Sequence, residues 1–379
     1  MVQKIKNIGF ILRDPNWHGG INYLRSLTSA ISLLRRKDIN IYLFTPSDQN
    51  LKILNNFQTK IIKSFFFNQN FVNRIINKIS SLLFKKNIFI ERVLKKNKIN
   101  FLSHTNYTNF KEIKTVSWIG DFQYIHYPKF FGKLIVERNK ALHNDLVKNS
   151  NKVLVSCNFS KKDFKKKYSN YGNKVNILKF VPTIIEPYKL QKFSEIQKRY
   201  NISKNFYFVP NQFWKHKNHE CIFKAIKYLN SKKIFPNIVF AGKLDDYRNP
   251  DFINKVKEIL NSKKIKNLKY LGELKYIEIC SLLYYCKAVI NPSFFEGWST
   301  SVEESKIYNK TCILSNIPTH LEQKPRNGIY FNPNNFKELA EVIQKLEKKK
   351  NNNLKFNKKK YVNEKKKFAI KYLEILDQI

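Results

Sequence analysis

Two glutamates eight positions apart, Glu296 and Glu304, stand where a short apolar run gives way to a helical pattern. The run Ala288 to Pro292 reads as a buried strand, the turn after it carries Glu296 and Gly297, and a helix is predicted to start near Ser299 or Thr300. Carboxylates at the carboxyl end of a strand accept hydrogen bonds from sugar or ribose hydroxyls, and the free N–H groups of the next helix attract phosphate. Gly297 would let a ligand approach the backbone closely. Thr300 and Glu303 have capping-box spacing, which gives Glu303 to the helix and leaves Glu296 and Glu304 for a ligand. Acids are also favoured at any helix start, so this spacing alone does not single out a ligand.

A second passage with the same logic is Val209-Pro-Asn-Gln-Phe-Trp-Lys-His-Lys-Asn-His-Glu220. A strand should end at Pro210, and Asn218 is placed to cap a helix that starts at His219. Lys217 then precedes a helix N-terminus, where the two together can hold a diphosphate. Near the beginning, Asn16-Trp-His-Gly-Gly-Ile21 reads as a glycine turn entering a helix, so Gly19 and Gly20 would let the backbone approach a phosphate or an acceptor. In isolation a Gly-Gly serves any strand-to-helix turn, and one lysine among so many is ordinarily solvated.

These passages need strands and helices to position them. Apolar runs rich in β-branched and aromatic residues alternate with longer helical patterns, the arrangement of βαβ units and parallel sheets. Strands are predicted near 5–12, 39–44, 59–64, 99–104, 114–119, 152–157 and 175–180, then near 205–210, 237–242, 268–273, 288–293, 311–316 and 328–332. Two successive doubly wound units would put a ligand cleft at the carboxyl ends of both sheets. The expected division is 1–182 as a first domain, 183–203 as linker, 204–350 as a second domain, and 351–379 as a helical segment returning to the first. Residues 70–96 form a basic amphipathic pattern, which fits either packing on a sheet or contact with an anionic membrane surface.

Composition excludes several classes. The longest apolar stretches among 379 residues fall well short of a membrane span, roughly 18 residues. Met1 to Leu12 has early lysines but too short an apolar core for a secretion signal, and reads as a first strand. Five scattered cysteines without a C-x-x-C pair fit reduced, buried thiols in the cytoplasm better than a disulfide framework or a zinc site. Lys and Arg total 71 against 28 Asp and Glu, a formal charge of +43. The lysines are dispersed among abundant Asn, Ile, Phe and Tyr, a pattern of AT-rich coding more than of a phosphate-binding patch. No clustered basic and aromatic module marks a nucleic-acid partner.

The segment Asn291-Pro-Ser-Phe-Phe-Glu-Gly-Trp-Ser-Thr-Ser-Val-Glu-Glu-Ser305 resembles the family 4 retaining glycosyltransferases. So do its continuations, Thr311-Cys-Ile-Leu-Ser-Asn-Ile-Pro-Thr-His-Leu-Glu322 and Tyr330-Phe-Asn-Pro333. The Val209–Glu220 passage resembles the family's G-R-x4–5-K-N region, with the departure that Asn211 or Gln212 occupies the usual Arg position. Ser117-Trp-Ile-Gly-Asp-Phe-Gln-Tyr-Ile-His-Tyr-Pro128 resembles a W-I-x-D-F-Q-H-x-H-x-P stretch of one bacterial branch, with Tyr124 replacing the first histidine. Val153 to Ser160 and Val239 to Lys243 match at the expected points, and the likeness runs from about residue 8 to 345.

The resemblance implies two Rossmann-like domains facing each other across a cleft, the GT-B fold. It implies transfer of a sugar from a nucleoside diphosphate sugar to an acceptor, a growing surface polysaccharide or lipid-linked glycan, without a metal or other cofactor. Carried over, Glu296 contacts the transferred sugar, Glu304 binds the donor ribose, and Lys217 neutralises the leaving diphosphate, with Lys215 as a candidate substitute for the absent Arg. Gly297, Trp298, Ser299, Thr300, Asn211 and Gly20 fall on the donor side; His126, Asp121 and Gly19 fall on the sugar or acceptor side. The implied location is the cytoplasm, peripheral at the inner membrane face. The alternatives are a nucleotide-sugar epimerase or hydrolase of the same fold, a non-catalytic relative, and a basic nucleic-acid-binding protein.

Overall fold

In the computed structural model every strand run named above forms a strand, with ends within three residues of those expected. Residues 5–12, 18–46, 59–68, 70–262, 265, 267–349 and 356–379 are described. The first sheet comprises β1 (Lys6–Ile11), β2 (Ile39–Thr45), β3 (Thr59–Lys63), β4 (Phe101–Ser103), β5 (Lys114–Trp118), β6 (Lys152–Val155) and β7 (Val175–Ile177). The second comprises β8 (Tyr207–Val209), β9 (Ile238–Phe240), β10 (Leu268–Tyr270), β11 (Ala288–Asn291), β12 (Thr311–Ser315) and β13 (Gly328–Phe331).

The strands of both sheets run parallel, in the orders β3-β2-β1-β4-β5-β6-β7 and β10-β9-β8-β11-β12-β13. Each order reverses direction once, between β1 and β4 in the first sheet and between β8 and β11 in the second. Loops leaving the carboxyl ends of such a strand pair diverge to opposite faces and open a crevice, the usual ligand position in doubly wound sheets. β8 and β11 are buried along their whole lengths, as the central strands of a sheet covered on both faces must be. Their side chains join Phe213, Ile222, Phe240 and Leu339 in the second core.

The chain divides into two compact units. The first is Met1–Phe122, Glu137–Thr183 and Lys359–Ile379; the second is Gln123–Val136 and Ile184–Lys358. The last helix, Lys358–Asp377, buries Phe368, Tyr372 and Leu376, and its Lys365 Nζ donates to Ser29 Oγ at 2.5 Å and Thr183 Oγ1 at 3.1 Å. All five cysteines are free and buried. No described helix is long and apolar enough to cross a membrane.

Residues 70–96, which the apolar spacing joins into one helix, form two: Phe71–Phe84 and Ile88–Lys96. The break has a local cause. Lys85 adopts a left-handed conformation at φ 53°, and Asn87 restarts the helix by accepting from Ile90 N at 2.9 Å.

Gly242, just past β9, ties the second sheet to the loop after β8. Its φ is +139°, and a Cβ there would lie 2.5 Å from the Asn211 carbonyl oxygen. Gly242→Ala is therefore expected to cost about 1–3 kcal/mol, measured by urea unfolding. Gly120→Ala, where the nearest atom would be 3.6 Å away, should leave stability unchanged within error.

Candidate active site

Lys217 and Glu296 come together from opposite sides of the β8–β11 crevice. Lys217 ends a short 3₁₀ turn, Lys215–Lys217, in the loop after β8, and Glu296 lies in the turn after β11. The Lys217 ammonium donates to both carboxylate oxygens, at 2.7 and 2.8 Å. Burial is deep on both sides, with side chains 17% and 6% exposed.

Hydrogen bonds fix the two turns against each other. Phe294 N donates to His216 O at 2.8 Å. Asn218 Nδ2 donates to Pro292 O at 3.0 Å and to Pro333 O at 2.9 Å. Asn218 thus occupies the first boundary of the helix His219–Ser231, as its position suggested, but makes no side-chain cap: its backbone is left-handed and its amide staples strand ends instead. Thr319 Oγ1 donates to the Glu296 carbonyl at 2.6 Å, and Ser293 Oγ lies 2.6 Å from Glu296 Oε1.

The electrostatics follow from this packing. Burial alone would push the Glu296 carboxyl up, but the Lys217 charge beside it, with His320 and His216 further out, holds it down at about 2. Burial, then the Lys217 charge, lowers His216 to about 3, so this imidazole is neutral at physiological pH. Burial lowers His320 to about 4 although Glu296 opposes it. Lys217 and Glu296 therefore stand as a cation and an anion in contact, with the neutral imidazoles of His216 and His320 beside them.

Glu304 is buried in the helix Thr300–Ile307, and Tyr276 Oη donates to its Oε1 at 2.8 Å. The capping box expected at Thr300 and Glu303 does not form. Ser299 is the boundary residue and makes no side-chain cap, because its hydroxyl accepts from Asn291 Nδ2 at 2.8 Å. Glu303 is structural by another route, accepting from Gln323 Nε2 at 2.9 Å and Lys306 Nζ at 3.0 Å. Gly297 and Trp298 are half-buried beside Glu296, and Thr300 is exposed as the first helical residue.

Asn211 is buried after β8, and among the described residues its amide nitrogen has no hydrogen-bond partner. Lys215 extends over the Phe130 ring, 5.6 Å from its centroid, and lines a small cleft with Phe252, Phe294 and Phe336. It is Lys217, not Lys215, that meets Glu296. His126 is exposed at the end of the short helix Gln123–His126, its ring 5.3 Å from that of Phe295, next to Glu296. Asp121, Gly19 and Gly20 belong to the first unit. The two glycines lie in the first turn of the helix His18–Ser32, following β1, while Asn16 and Trp17 fall outside the described residues.

Two further groups support the Lys217 turn without any sequence signature. Asp246, almost fully buried, accepts from Lys215 N at 3.0 Å and from Arg248 Nε at 3.1 Å. The Arg248 guanidinium is held between Trp214, 4.1 Å from the ring centroid, and Phe131, 4.5 Å away. The strap Gln123–Val136 also contributes Tyr127, whose Oη donates to Phe294 O at 3.2 Å. Among the described residues no group of three or more His, Cys, Asp or Glu is arranged to hold a metal ion.

Two parallel sheets, each with one reversal of strand order, and a polar site at the reversal of the second define the GT-B fold. Residues 191–363 match the family model described as glycosyl transferases group 1, and the chain is a glycosyltransferase similar to that family over this stretch. It is similar to the Campylobacter jejuni N,N'-diacetylbacillosaminyl-diphospho-undecaprenol alpha-1,3-N-acetylgalactosaminyltransferase, 23% identical over 351 residues, covering 87% of each chain. Its fold matches HepE of Anabaena, solved with UDP and glucose, with TM-score 0.67 and 13% identity over 99% of this chain and 100% of that one. A glycosyltransferase from Rickettsia africae matches with TM-score 0.64 and 16% identity over 99% and 97%.

Removing one member of a buried pair leaves the other charged and desolvated, so Lys217→Met should cost about 3–5 kcal/mol. The double variant Lys217→Met/Glu296→Gln should recover part of that loss in a double-mutant cycle. The pH dependence has a definite sign. Glu296 ionises near 2 in the folded protein against an ordinary 4.5, so its contribution is complete above pH 4.5 and is lost as pH falls through about 2. The stability difference between wild type and Glu296→Gln should be flat above that window and shrink within it.

Proposed function

We propose that this enzyme is a retaining, metal-independent transferase that moves a sugar from a nucleoside diphosphate sugar onto a lipid-linked glycan at the inner face of the cytoplasmic membrane. The observation that carries this reading is the contact of Lys217 with Glu296 at the β8–β11 reversal, with Glu304 buried on the next helix. The diphosphate is assigned to Lys217 and the N-termini of the helices His219–Ser231 and Thr300–Ile307. Glu304 takes the ribose hydroxyls and Glu296 the hydroxyls of the transferred sugar, with Asn211, Gly297, Trp298 and Ser299 completing the donor side.

The similarity to an enzyme acting on a diphospho-undecaprenol acceptor supports the acceptor class, and the similarity to a protein solved with UDP and glucose supports the donor class. As the bond from the anomeric carbon to the diphosphate breaks, negative charge grows on the leaving oxygen while the sugar ring becomes cationic. Lys217 and the helix N-termini stabilise the growing charge, the work a metal ion does elsewhere. Glu296 acts in positioning: it holds the Lys217 ammonium by two oxygens and orients the sugar, and it forms no covalent intermediate. Attack by the acceptor hydroxyl from the face the diphosphate leaves retains the anomeric configuration. The acceptor side is assigned to Gly19, Asp121 and His126.

A thermal-shift screen against UDP-, GDP-, ADP- and dTDP-sugars with EDTA present tests the donor site. One nucleotide family should raise the melting temperature by mass action, and Glu304→Ala should abolish the shift. Tyr276→Phe, which removes the donor to Glu304 Oε1, should weaken the same affinity only several-fold. Glu296→Gln should lower kcat by roughly 10²–10³-fold, the scale of losing one charge-stabilising contact. A Glu296→Gln enzyme with unchanged kcat and KM would overturn its assigned role.

A further inference from the structure

The helix Phe71–Phe84 is built inside out. Phe71, Ile75, Ile79, Leu82 and Leu83 lie along one helical stripe and are 77%, 42%, 50%, 71% and 71% exposed. The side turned to the protein is mainly polar, with Ile76 half-buried between Asn73 and Ser80. Asn73 is fully buried and donates to Phe65 O at 2.6 Å, and Ser80 is buried, bonded to Lys86 O and Ile88 N at 3.1 Å each. A helix whose solvent is water on one side and a protein core on the other has the reverse arrangement. Hydrogen bonds to buried polar groups lock this orientation, so rotating the stripe inward would break each of them.

A second observation shows what the stripe faces. Arg74, Lys78, Lys85 and Lys86 line a polar cleft of about 330 Å3 beside it, together with Asn106 and Thr108. No Asp or Glu occurs in Phe71–Phe84. The nearest acids are already engaged: Glu91 with Lys86 at 2.7 Å and with Lys95, and Asp145, on the cleft rim, with Asn149 at 2.8 Å and with Thr108. An apolar stripe bordered by cations matches the interface of an anionic bilayer, where acyl chains lie beneath a layer of phosphate.

We propose that this helix docks the enzyme on an anionic lipid bilayer, with the stripe in the acyl boundary and a lipid phosphate in the cleft held by Arg74, Lys78 and Lys85. The lipid-linked acceptor reading supplies the choice of a bilayer as occupant, and the docking surface rests on it in that respect. The two fail separately, because donor binding is read from the other unit.

The test is vesicle flotation of the full chain with phosphatidylcholine alone and with added phosphatidylglycerol. Wild type should float with the anionic vesicles, weakly with the neutral ones, and less as salt rises. Leu82→Ser/Leu83→Ser and Arg74→Gln/Lys78→Gln should each lower the partition coefficient by about tenfold or more, while keeping the donor-induced thermal shift that shows a folded enzyme. Equal binding of wild type to both vesicle types, or unchanged binding of both double variants, would overturn the proposal. So would gel filtration showing a wild-type dimer that Leu82→Ser/Leu83→Ser splits, since a second copy would then be the occupant.

Discussion

The site depends on one buried ion pair. Two unit charges removed from water are costly unless each has the other in close contact and its remaining hydrogen-bonding positions filled. Lys217 and Glu296 are in bidentate contact, and Ser293 Oγ fills a further position at the carboxylate. The consequence runs outward. Because the pair is satisfied only at one geometry, the two turns must be held in register, and the bonds from Asn218, His216 and Thr319 hold them. Those turns leave adjacent parallel strands at the point where strand order reverses, which is why residues 79 positions apart meet there.

The fold was legible because fully buried parallel strands leave a strong signature: each run of apolar, β-branched residues such as Ala288-Val-Ile-Asn291 is short and bounded by polar helices. The residues Glu296, Glu304 and Lys217 were legible through motif and position, but not their contact, since nothing in a linear sequence states that β8 neighbours β11. Capping chemistry was misread twice. Asn218 and Thr300 have the residue types of caps, yet Asn218 takes a left-handed backbone and turns its amide to Pro292 O and Pro333 O, and the helix begins at Thr300 itself with Ser299 as its boundary. Asp246 and Arg248 had no signature, because an acid and a base two residues apart in a loop usually lie in solvent; their burial against Trp214 and Phe131 is tertiary. The inside-out helix was half legible: its periodicity marked an apolar face, but periodicity cannot say which way a face points.

The distribution of acids sharpens the same picture. With 28 carboxylates against 71 cations, an acid is the scarce charge in this chain. Buried acids stand at joints: Glu278 binds Arg199 and Tyr200 of the helix Phe193–Tyr200, Asp246 the Lys215 turn, Glu303 the neighbouring Gln323, and Glu91 the restart after Lys85. The dispersed positive surface needs no partner to explain it, whereas each buried acid has a specific cation or donor. Local charge balance, not net charge, is what shapes the second unit.

Neither unit is one continuous stretch of chain. The strap Gln123–Val136 and the final helix each belong with the unit that most of their neighbours in sequence do not. The final helix supplies Phe368, Tyr372 and Leu376 to the first core and anchors Ser29 and Thr183 through Lys365. On the ribosome this inverts the customary order in which domains mature. The first unit waits, its core unsealed, until Lys359–Ile379 emerges, long after the second sheet has been made.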